Sequence, residues 1–61
     1  MKIQLKESAF IFLHDILGIL VRESILLAGN NQLSLEGEAP GLYLIQIRTA
    51  TDNFRVKLMH Q

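Results

Sequence analysis

Sixty-one residues, 49% of them hydrophobic and none of them cysteine, allow one small core and exclude disulfides and thiolate metal sites. Six Lys+Arg balance six Asp+Glu, so there is no basic surplus to drive binding to a phosphate backbone and no acidic tail. A chain this short without a covalent or metal staple ordinarily gains stability from a second copy or from a larger parent protein.

The first predicted strand is short: Ile3 and Leu5 alternate with Lys2, Gln4 and Lys6. Glu7-Ser8 turns the chain into a second strand, Ala9 to His14. Asp15-Ile16-Leu17-Gly18 reads as a turn, with Gly18 able to take positive φ. Ile19 to Ala28 is a third stretch, polar in the middle at Arg22-Glu23-Ser24. Gly29-Asn30-Asn31 carries turn chemistry. A fourth strand is expected from Gln32 to Glu36, with Leu33 and Leu35 inward. Pro40 and Gly41 keep Gly37 to Gly41 out of regular structure.

The last third alternates most clearly. From Gly41 to Thr49, Tyr43, Ile45 and Ile47 share one face, and Leu42, Leu44, Gln46 and Arg48 the other. From Asn53 to Met59, Phe54, Val56 and Leu58 alternate with Arg55 and Lys57. Period two with β-branched and aromatic residues is the signature of a half-buried strand. With Ala50-Thr51-Asp52 as the link, the two strands read as an antiparallel hairpin.

A helix over residues 7 to 29 is the competing reading, with Ser8 as a cap and Phe10, Leu13, Leu17, Leu20 and Ser24 near one face. Phe12, Ile16 and Ile19 then occupy other faces, and Gly18 costs about 1 kcal/mol in mid-helix. The segment AFIFLHDILGILV over residues 9–21 is too short for a spanning helix and is broken by His14-Asp15. It also lacks a clean cleavage site for a signal peptide. The expectation is an all-β fold: a small antiparallel immunoglobulin-like β-sandwich of about six strands, one domain over residues 1–61. Its expected core is Ile3, Leu5, Ile11, Leu13, Val21, Leu33, Leu35, Tyr43, Ile45, Ile47, Phe54, Val56 and Leu58.

The order of motifs resembles the C-terminal sorting domain of cargo proteins of the type IX secretion system. The residues that carry the resemblance run in order along the chain. They are His14-Asp15-Ile16-Leu17-Gly18, then Leu33-Ser34-Leu35, then Pro40-Gly41-Leu42-Tyr43-Leu44, then a final strand carrying Lys57. Departures are His14 in place of an aromatic, Ile19 where a basic residue is common, Glu38 where the loop often carries a leucine, and the Met59-His60-Gln61 ending. The family domain starts one strand earlier, so the resemblance implies a form lacking its N-terminal strand.

The resemblance implies a non-catalytic module on a secreted or cell-surface protein, recognised by an outer-membrane export machinery. The motif residues are then Asp15, Gly18, Pro40, Gly41, Tyr43 and Lys57. Read from chemistry alone, Asp15 can accept backbone N–H bonds across its own turn. Tyr43 can bury its ring and leave its hydroxyl to a loop carbonyl. Lys57 is most simply a solvated strand residue. The alternative function is a structural, self-associating β-module, such as an adhesin or stalk fragment, without a targeting role.

Catalytic and ligand signals are lacking. Ser8, Ser24 and Ser34 have no Gly-x-Ser-x-Gly setting. His14 and His60 have no metal-ligand spacing. Gly18, Gly29, Gly37 and Gly41 are too scattered for a phosphate loop. No cofactor, metal or nucleic acid is expected, and the chain does not read as an enzyme. If the covering strand is missing, an open sheet edge remains. A homodimer through that edge is expected, with Ile3, Leu5 and the Phe10 to Leu13 segment near the interface.

Overall fold

In the computed structural model, which describes residues 2–61, the segments of strongest alternation form the longest strands. These are β5 (Gly41–Arg48) and β6 (Asn53–His60), paired antiparallel from Gly41↔His60 to Arg48↔Asn53. Ahead of them come β1 (Lys2–Leu5), β2 (Ala9–Asp15), β3 (Leu20–Leu26) and β4 (Gly29–Gln32). The order in the larger sheet is β3-β2-β5-β6; β1 and β4 form a second, two-stranded sheet. All pairings are antiparallel, and the two sheets pack together as a small β-sandwich. No helix occurs among the described residues, so none is long and apolar enough to cross a membrane.

Opposed residues in a pair share a face, and this builds the core row by row. Ile11 faces Ile47, Leu13 faces Ile45, and Asp15 faces Tyr43. The buried set is Ala9, Ile11, Leu13, Leu33, Leu35, Tyr43, Ile45 and Ile47, with Ile3, Leu5, Leu26 and Leu58 partly buried against it.

Four expectations are corrected. Phe54 and Val56 lie on the inner face, opposite Ile47 and Ile45, yet remain 52% and 39% exposed. They belong to an edge strand, and the opposing sheet has only two strands. Val21 is 37% exposed because it is the extra residue of a bulge: Leu13 pairs with Arg22 and His14 with Leu20, so the alternation slips by one there. Gly29-Asn30-Asn31 is not a turn but most of β4, whose pairing runs from Lys2↔Gln32 to Leu5↔Gly29. Conversely, Leu33 to Glu36 forms no strand, although Leu33 and Leu35 point inward as expected.

The structure also corrects the expected interface. β2 is flanked by β3 and β5 and has no open edge, while Ile11 and Leu13 are spent in the core. Among the described residues, β1 is hydrogen-bonded on one side only.

Candidate functional site

Asp15 ends β2 and organises the turn that follows. Its Oδ1 accepts the N–H of Leu17 at 2.9 Å and of Ile19 at 3.0 Å. The Asp15 N–H donates to the Ile19 carbonyl and its own carbonyl accepts from Gly18, both at 3.0 Å. Gly18 has φ +84°, a region in which a side chain is strained. One carboxylate and one glycine thus stiffen the hairpin tip, which carries exposed Ile16, Leu17, Ile19 and Leu20.

Tyr43 stands beside Asp15 in the sheet and opposite Leu58 on β6. Its ring is buried, and its hydroxyl donates to the Ala39 carbonyl. That bond ties the loop before β5 down onto the sheet. The His60 ring meets Tyr43 edge-on, with centroids 6.3 Å apart. Gly41, at φ +150°, follows exposed Pro40 and opens β5 opposite His60.

Asp15, Gly18, Pro40, Gly41 and Tyr43 therefore gather at one end of the larger sheet. Lys57 does not join them. It pairs with Leu44 on the outer face, beside Arg55 opposite Gln46. Arg48 lies on that face too, its guanidinium 5.6 Å from the centroid of the Phe12 ring, in a cation–π contact. Arg48, Arg55 and Lys57 are all exposed.

Arg22 has a role that its sequence context does not reveal. It sits opposite Leu13 on the inner face of β3 and reaches across the sandwich. Its Nη1 donates to the Ser34 carbonyl at 2.8 Å, and its Nη2 to the Glu36 carbonyl at 3.4 Å. The same nitrogen pairs with Glu38 at 3.2 Å. The guanidinium fork thus clamps the 34–38 segment that carries buried Leu35. The alternation does not signal it: with Val21 expected inward, Arg22 falls on the opposite face, and only the bulge turns it in.

Among the described residues, no group of three His, Asp or Glu side chains is placed to hold a metal ion. What the arrangement offers is a braced end, an open edge and a charged outer face.

No curated protein and no solved structure matches this chain. The sequence model of the secretion system C-terminal sorting domain matches residues 1–61, the whole chain. A domain of that kind marks a protein that is secreted or attached to the cell surface. The match runs through every strand of the sandwich, and the chain belongs to the family of type IX secretion system C-terminal sorting domains.

Proposed function

We propose that this domain is an address read by an outer-membrane export machinery through β6 and the residues that end the chain, with no bond chemistry of its own. Membership of the sorting-domain family supports this reading. So does one observation above others: β6 is the longest open edge of the sandwich and is exposed along most of its length. Asp15, Gly18, Pro40, Gly41 and Tyr43 act as the brace that presents it, and Lys57 belongs to the surface that is read. The reading includes a homodimer formed through β1.

The test fuses residues 1–61 behind a reporter with its own inner-membrane signal, in a host with the type IX machinery. Export is expected to stop when Phe54 to Gln61 are deleted. Because that deletion also strips β5 of its partner, a second variant, Lys57→Glu, keeps the strand and changes only its surface; it is expected to lower export without changing the melt. Export indifferent to both changes overturns the proposal.

A further inference from the structure

We infer that the open edge of β6 accepts an extended segment of another protein as an added strand, and that this segment alternates acidic with apolar residues. The inference rests on the reading of β6 as the recognised strand and supplies the chemistry of its partner.

Three observations carry it. First, β6 is eight residues long and, among the described residues, is paired only with β5, so its other side presents a row of backbone donors and acceptors. Main-chain bonds of that kind hold strand-adding peptides, while pockets for alternate side chains select them.

Second, the two faces of β6 ask for different side chains. On the inner face, Phe54 and Val56 extend the core rows of Ile47 and Ile45 and stay partly uncovered. An added strand with apolar residues there would continue the core. On the outer face stand Arg55 and Lys57. The ion pair formed among the described residues is Arg22–Glu38, and no carboxylate pairs with either of these two cations.

Third, charge decides what the occupant can be. The outer face of the larger sheet carries Arg48, Arg55 and Lys57 against Glu23 alone. Since the chain as a whole is neutral, three cations and five anions are left for the rest. The face is therefore basic by segregation rather than by composition. In the two registers of greatest overlap a second copy of β6 is a poor occupant: paired antiparallel about Val56, it sets Arg55 against Lys57, and about Lys57, it sets that cation against itself. Like charges directly opposite are destabilising. Acidic residues at alternate positions of a foreign strand relieve the same cations.

The test uses the 61-residue chain and fluorescently labelled peptides as long as β6. One alternates glutamate with valine, one lysine with valine, and one is the glutamate peptide with a central proline that removes a strand donor. The glutamate peptide is expected to bind at least about tenfold more tightly than either other peptide, and more weakly as salt rises. The double variant Arg55→Glu/Lys57→Glu is expected to reverse the charge preference, and Arg55→Gln/Lys57→Gln to remove it, each with an unchanged melt. Equal binding of the glutamate and lysine peptides, or of the proline peptide, overturns the inference. Export that still requires β6 in that event leaves the address reading standing and removes only this partner.

Discussion

Glu7 shows how little chemistry is needed to join two turns. It lies between β1 and β2, and the Thr51 hydroxyl, from the turn between β5 and β6, donates to its carboxylate at 2.7 Å. Thr49 supplies the next contribution, and together they hold the Glu7 carboxyl below its ordinary value of 4.5. A carboxylate whose folded value is depressed stabilises the fold fully above its unfolded value. That contribution disappears as pH falls through the folded value. Thr51→Val keeps the shape and removes the donor, so the Glu7 midpoint is expected to rise toward 4.5 in a carboxyl-carbon NMR titration. Identical midpoints in the two proteins would show that the contact is not formed in solution. Two other single-residue roles were legible beforehand, since each follows from local chemistry. Asp15 bonds its own turn, and Tyr43 buries its ring and bonds a loop carbonyl.

At the scale of strands, the boundary between legible and hidden follows the range of the interaction. Alternation located β5 and β6 nearly to the residue, because a half-buried strand writes its own period. β4 was hidden. Gly29-Asn30-Asn31 has turn chemistry, and only β1, more than twenty residues upstream, makes it a strand. The same limit explains Val56. Its spacing marks an inward position, and it does face inward, but burial depends on how many strands lie opposite. Ile45 and Val56 are paired neighbours on that face, so they separate the two effects. Ile45 is fully buried, and Ile45→Ala is expected to cost about 2–5 kcal/mol. Val56→Ala is expected to cost less than about 1 kcal/mol. Chemical denaturation of the two variants checks both figures; equal losses would mean that β6 is covered in solution.

For the whole molecule, the question is how a 6.9 kDa sandwich without disulfides leaves so much apolar surface outside its core. Small domains bury a low fraction of their surface, and here the smaller sheet covers only part of the larger one. Its own strand β1 is open on one side. Two copies can pair antiparallel there about Gln4, which places Ile3 opposite the partner's Leu5 and keeps both on the inner face. The same register sets Lys2 against the partner's Lys6. In the proposed dimer, apolar contact favours pairing and lysine repulsion limits it, as edge lysines do. The two terms respond differently to salt: added ions screen the lysines and leave the apolar contact in place. Light scattering at micromolar concentration is expected to show twice the monomer mass, with association tightening as salt rises, the opposite of the salt response expected for the acidic peptide at β6. Ile3→Lys, by adding a charge to the apolar pair, is expected to return the chain to 6.9 kDa. A cooperative melt at the monomer mass across the whole salt range would show that the single sandwich suffices and that β1 remains unpaired.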